Sequence, residues 1–446
     1  MTKKTGCITN ECKCNLFPMK EEFVYKKEGI MKYLIILMAG GFLISSLGQT
    51  WTQKNPSAYP SARANPTTAY DSESDRIVLF GGSVGTTNYG DTWEYDLNTD
   101  TWTQKSPATT PPARTASAMV YDSENDRIIM FGGYGTGSLN DTWEYDLNTN
   151  TWTNLSPANP PSARRGHCMA YDRESGRIVL FAGYDGAYRN DTWEYDYSSN
   201  TWTQQSPSSN PPGGFIYDGM TYDSGSDRVI AFGGYSGPSG GFSDQTWAYD
   251  ANTTTWTLMS PSSRPSARAG VQMAYDSMSD RVILFGGYRQ ASRYSDTWEY
   301  DFSNDTWAQQ TPNPYPTARG QGVLTYDAES DRCVLFGGDG PSPGNPLSDT
   351  WEYDEPLIGV EEEKESILSK ELLIAPNPFS GKTTALFTKD VVQNLESLQI
   401  FDASGRLIFK SPVTSSSITF GMNLRPGVYF VKVGDRQLTK VVKLSP

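Results

Sequence analysis

An all-β fold, six four-stranded antiparallel sheets in a radial ring followed by a small sandwich, is predicted by three features of the sequence. The first is a repeat. The second glycine of its FGG stretch falls at Gly82, Gly133, Gly183, Gly234, Gly287 and Gly338, with spacings of 51, 50, 51, 53 and 51 residues. A period near that value is the length of a propeller blade. The second is the content of each copy, where no segment has helical period and short apolar runs alternate with Asx, Ser, Gly and Pro turn chemistry. The third is the tryptophan count. All twelve lie at repeat positions, in one series of six (Trp93, Trp143, Trp193, Trp247, Trp298, Trp351) and a second series (Trp51, Trp102, Trp152, Trp202, Trp256, Trp307) that is complete only if Trp51 counts.

Each copy reads as four strands in order. In the second copy these are TASAMVYD, small and ending in Tyr-Asp; RIIMFGG, apolar and ending in Gly-Gly; DTWEYD; and TWTNL. One such sheet cannot bury both faces, whereas six arranged radially stack face to face and leave only short edges. The last copy stops at Trp351-Glu-Tyr-Asp354 with no Thr-Trp-Thr after it, while Gln49 to Gln53 (QTWTQ) follows no strands of its own. The mature N-terminus is therefore expected to supply the missing fourth strand and so close the ring's open edge.

The succession FGG, DTWEYD, NTNTW and an arginine such as Arg164 in PSARRGH resembles the kelch repeat of β-propeller proteins, over roughly 300 residues. The resemblance implies a six-bladed kelch propeller over 49–354. Two departures stand out: Ala182 replaces the first glycine in copy three, and copy four has PGGF (Pro212 to Phe215) where the other copies carry arginine.

Ahead of the repeats, 31–48 read as a signal peptide: Met31-Lys32, an apolar run from Tyr33 to Leu47, and small residues at Ser46 and Gly48. Residues 1–30, with Cys7, Cys12 and Cys14, read as an upstream extension absent from the mature protein. The apolar run falls short of the roughly 20 residues needed to span a bilayer, so no stable membrane span is expected. The chain carries a net charge of −14, and 1–48 are net basic, so the mature chain is more acidic still and nucleic acid is not an expected partner. Its two remaining cysteines, Cys168 and Cys333, belong to copies three and six and are expected to stay unbonded.

Beyond the repeats, 355–370 form an acidic linker without aromatics, and 371–446 alternate as an antiparallel Ig-like sandwich should. Within that segment APNPFSGKT, IFDASGRLI and LRPGVYFVKV resemble the C-terminal sorting domain of type IX secretion substrates. The resemblance implies export to the medium or the bacterial cell surface, with the outer-membrane secretion machinery as a partner.

Catalytic chemistry is sparse. A copper site of the galactose-oxidase type, found in some kelch propellers, needs more than one histidine, and this chain has only His167. No cofactor or metal is expected. The acidic hairpins such as YDSESDR read as structural turns, in which Asp accepts backbone N–H groups, in preference to calcium loops. His167, after Arg164 and Arg165, could act as a base at the channel rim, although a lone histidine is more often packing.

Comparison among the copies is more informative. The loops between second and third strands vary and carry Tyr89, Tyr134, Tyr184, Tyr188, Arg189, Tyr235, Phe242, Tyr288, Arg289, Arg293 and Tyr294. Tyr184, Tyr188, Arg189, Tyr235, Tyr288, Arg289, Arg293 and Tyr294, with Arg165 and His167, are the candidate ligand-binding residues. Tyr134, Tyr184, Tyr235 and Tyr288 recur at one position and could instead pack over the neighbouring blade. The expected function is a monomeric exported binding or adhesion module for a glycan or protein; a kelch-type sugar epimerase is the alternative.

A structural role is expected for Arg63, Arg114, Arg164, Arg268 and Arg319, paired with Glu94, Glu144, Glu194, Glu299 and Glu352. Copy four loses both partners together, with Gly213-Gly214 and Ala248.

Overall fold

The computed structural model describes residues 49–212 and 219–354 and, beyond them, 372–375, 383–387, 397–402, 407–411, 417–420, 427–433 and 439–443. The expected leader and upstream extension, the glycines of the PGGF departure and the expected acidic linker lie outside the described residues.

Six four-stranded antiparallel sheets occupy 50–354. Their first strands are Thr67–Asp71, Ala118–Asp122, Cys168–Asp172, Gly219–Asp223, Gln272–Asp276 and Val323–Asp327, which number the sheets one to six. Each first strand touches the next, and that of sheet six touches that of sheet one. Along them runs a chain of backbone hydrogen bonds: Ala116 to Asn65, Gly166 to Ala116, Gln321 to Gly270 and, across the closure, Asn65 to Gln321 at 2.7 Å.

Closure follows the tryptophan arithmetic. Thr50–Lys54 pairs antiparallel with Thr350–Asp354, with Trp51 opposite Tyr353, and completes sheet six from the other end of the repeat array. The chain thereby leaves no unpaired third strand as an edge.

Six apolar clusters fill the seams between successive sheets, the last joining sheet six to sheet one. Each repeat letter has a duty in them. The fourth-strand tryptophan packs on the phenylalanine of FGG in the preceding sheet, as Trp152 does on Phe80 with centroids 5.2 Å apart. Its indole N–H donates to the threonine of DTW in that same sheet. Trp152 reaches Thr92, Trp202 Thr142, Trp256 Thr192, Trp307 Thr246, Trp51 Thr297 and Trp102 Thr350, all at 2.9–3.1 Å. A buried indole whose N–H is satisfied across a seam ties the sheets by packing and hydrogen bonding at once.

The cysteines lie in different seams, Cys168 between sheets three and four and Cys333 between five and six, and no disulfide joins them.

The structural arginines are buried as expected, but their partner is corrected. Each pairs with the aspartate that precedes Thr-Trp, not with the glutamate that follows it: Arg63 with Asp91, Arg114 with Asp141, Arg164 with Asp191, Arg268 with Asp296 and Arg319 with Asp349, at 2.6–2.7 Å. The geometry is bidentate, and the remaining donors reach carbonyls. Arg114 Nη1 also donates to Gly132 O, and Nε donates to Pro112 O. The physical reason is strand alternation. The aspartate precedes the third strand, beside the incoming arginine, whereas the glutamate is inside it, where successive side chains face opposite sides. Glu144 and Glu194 accept from Tyr197 and Tyr249 of the following sheets, Glu94 meets Lys105, Glu352 meets Lys54, and Glu299 accepts from Tyr353. Burial alone would raise the carboxyls of Asp91, Asp141, Asp191 and Asp349; the guanidinium and the Trp indole more than offset it and hold them below the usual carboxylate range.

The Gly-Gly turn explains why it recurs. Gly81 adopts a φ of 68°, and a Cβ there would lie 2.5 Å from the carbonyl oxygen of Arg114 in the next sheet. Ala182 takes that position in sheet three at a φ of 66° and packs in the seam with Val229, Ala231 and Tyr249 of sheet four.

At the opposite end the acidic hairpins are closed as structural turns, Asp71 accepting from the N–H of Glu73 and of Ser74. Tyr70 donates to Asp75 at 3.0 Å, and Asp327 and Glu329 of sheet six stand close by. Burial first, then the charges of Asp327 and Glu329, push Asp75 up to about 7. The native state therefore holds a proton that the unfolded chain releases near pH 4, and stability falls as pH rises from there to about 7. Asp75→Asn, which abolishes this titration, is expected to raise the melting temperature more at pH 8 than at pH 4.5. An equal shift at both values in a calorimetric series would disprove the assignment.

The C-terminal segment contains two antiparallel sheets. Leu372–Ala375, Thr383–Phe387 and Ser417–Phe420 make one, and Leu407–Ser411, Leu398–Asp402, Gly427–Val433 and Thr439–Lys443 the other. Leu398, Ile400, Tyr429 and Val431 are buried. Among the described residues no helix is long and apolar enough to cross a membrane.

Candidate ligand-binding face

Strand direction decides which loops share a face. The loops from second to third strands and the segments from fourth to first strands meet at the Gly-Gly end, as the pairing of Arg165 with Tyr184 and of Ala269 with Tyr288 shows. The variable residues are thus gathered at one mouth of the ring.

Five of them form a continuous arc of rings across sheets three to five. Tyr184 meets Tyr188 at 5.1 Å between centroids, Tyr188 meets Tyr235 at 5.8 Å, Tyr235 meets Phe242 at 4.8 Å and Phe242 meets Tyr288 at 5.9 Å. Most are edge-to-face, the geometry that the ring quadrupole favours. All five are half-buried. Gly237, at a φ of 86°, lets the sheet-four loop close on Tyr188, since a Cβ there would come within 2.5 Å of the ring.

An arginine stands at each end. The Arg165 guanidinium lies 4.5 Å from the Tyr134 centroid and 5.3 Å from that of Tyr184. Arg293 lies 5.0 Å from the Tyr288 centroid and is ion-paired with Asp339, which occupies in sheet six the position that tyrosine holds in sheets two to five. The side chains of Arg293 and Asp339 are only 8% and 9% exposed. Asp339 was not singled out from the sequence, although Gly-Gly-Asp in place of Gly-Gly-Tyr is visible there.

The other candidates are placed elsewhere. Tyr294 covers the structural Arg268 at 3.9 Å, as Tyr89 covers Arg63, so its role is to shield a buried ion pair. Arg189 is exposed and pairs with Asp185 of its own loop, and Arg289 is exposed beyond the arc. His167 is 6% exposed and packs edge-on against Phe131 at 5.4 Å. Burial, aided by the Arg164 charge, pushes it down to about 3, so it is a neutral core residue and not a rim base.

The repeat geometry has its counterpart among known proteins. Residues 42–222 and 219–357 each match the KLHDC2/KLHL20/DRC7 Kelch-repeats domain, together well over half of the chain. The chain belongs to the kelch-repeat family. Residues 373–445 match the secretion system C-terminal sorting domain. The kelch repeats point to a protein-binding β-propeller, and the sorting domain to a bacterial protein exported by type IX secretion and secreted or held at the cell surface. The chain is also similar to Mei4-dependent protein 6 of Schizosaccharomyces pombe, 26% identical over 95 residues, which are 20% of this chain and 14% of that protein. The chain thus spans only a small part of that relative's length.

On this kelch protein the arc joins the repeating tyrosines of sheets three to five to two further rings supplied by the variable loops. Tyr188 and Phe242 share one loop position, each bridging to the repeating tyrosine of its own sheet, and that position is Asn88, Ser138, Arg293 and Pro346 in the other sheets; neither ring belongs to a seam cluster.

Proposed function

We propose that residues 49–354 act as a six-bladed kelch propeller which, after export by means of an Ig-like C-terminal sorting domain, binds a glycan through the aromatic arc at its variable-loop mouth. The observation that carries this reading is the run of half-buried rings from Tyr184 to Tyr288. Aromatic faces and edges suit the C–H surfaces of pyranose rings, and the neighbouring Arg and Asp side chains suit hydroxyls. A broad protein partner is less well served. The large apolar side chains exposed on the described residues are Tyr59, Val84, Leu258 and Tyr315, none of them in the arc, so the arc is not the centre of a large apolar patch.

The test is a glycan and protein array probed with the full-length chain, followed by titration of the best ligand. Tyr188→Ala combined with Tyr235→Ala is expected to weaken a glycan hit about tenfold or more, the loss of two aromatic contacts, while the melting temperature changes little. Undiminished binding would move the site to the opposite face or to the C-terminal sheets.

A further inference from the structure

We infer that Arg165 is an anion subsite, and that the glycan taken by the arc is an acidic one whose uronate carboxylate docks on this guanidinium. The inference rests on the glycan reading above and adds the chemical class of the sugar. Arg165 is anomalous among the arginines. Every other buried or half-buried arginine among the described residues has a carboxylate within ion-pair distance. Arg165 has none, although the chain as a whole carries a net charge of −14. It lies over two tyrosine rings, Tyr134 and Tyr184, which stabilise the cation through their π faces without consuming any of its N–H donors.

That arrangement restricts what can bind. The donors of the guanidinium form a planar fork, and a carboxylate is the planar acceptor that matches such a fork with two parallel hydrogen bonds. The cation at the other end of the arc cannot play the same part, because Asp339 already neutralises Arg293. Charge is therefore demanded at the Tyr134–Tyr184 end, while the rings from Tyr188 to Tyr288 contact the uncharged faces of the following sugars.

The experiment is calorimetric titration of the full-length chain with a panel of oligouronates, namely hexamers of galacturonate, mannuronate and guluronate, each alongside its carboxyl-reduced neutral counterpart. Arg165→Gln keeps length and polarity but removes the charge, and is expected to weaken the best oligouronate about tenfold or more. Binding of the neutral counterpart should be weaker in the native protein and unaffected by the substitution. A thermal melt of Arg165→Gln confirms that it is folded; should it fail, Arg165→Lys serves, which keeps the charge and loses the fork. The inference is overturned if neutral and acidic oligomers bind equally, or if Arg165→Gln leaves oligouronate binding intact. Neutral glycan bound through Tyr188 and Tyr235 overturns this inference alone. Binding of poly-glutamate and of no glycan overturns the glycan reading with it.

Discussion

Deleting residues 49–54 is expected to abolish cooperative folding of the repeat region. Sheet six would lose its fourth strand and leave Thr350–Asp354 as an unpaired edge, which invites association with other chains. The deletion also removes Trp51, which is fully buried, packs on Phe285 and Tyr353 with centroids 5.1 and 4.9 Å away, and donates to Thr297 of sheet five. The single change Trp51→Ala should cost about 3–5 kcal/mol, as truncation of a buried tryptophan generally does. Chemical denaturation and size-exclusion chromatography would follow both variants. A monomeric deletion variant with a native unfolding midpoint would show that closure is dispensable.

Breaking one arginine anchor is the second large effect. Arg114→Met leaves Asp141, the Gly132 carbonyl and the Pro112 carbonyl without their donor, and should destabilise by about 3 kcal/mol, the lower end for a broken buried pair because Asp141 retains some solvent contact. Asp141→Asn strands the cation instead. The two changes together should cost less than their sum by about 2 kcal/mol, as expected for residues in direct contact. Sheet four shows that a sheet can exist without the pair, for Gln245 stands where the other copies have aspartate and accepts from Trp247. Simple additivity in a double-mutant cycle would mean that the arginine acts through packing alone.

Much of this architecture was legible in the residues themselves. The period, the four strands of a copy and the fourth-strand role of Trp51 are repeated or counted, and each copy restates the same burial pattern, so errors in one are corrected by five others. The recurrence of the first glycine was legible as well, and its reason is a close approach to the arginine segment of the next sheet, Gly81 to Arg114 and Gly132 to Arg164.

Partner choice was not legible. In copy four the arginine, the aspartate position and the glutamate are lost at once, to Gly213-Gly214, Gln245 and Ala248, so covariation among copies could not say which acid the arginine meets. The answer depends on strand alternation about the start of the third strand, and only the folded sheet reveals it. The same holds for the mouth. His167 and Tyr294 looked like ligand groups until the fold buried one and laid the other over Arg268, and Arg293 acquired a partner, Asp339, from a different sheet. The repeat itself determined which residues are buried and in what order the sheets follow, because hydrophobic period is a local property of the chain. Which polar group meets which was decided by tertiary structure, because that depends on distances between segments some 30 to 250 residues apart, and no local pattern carries them.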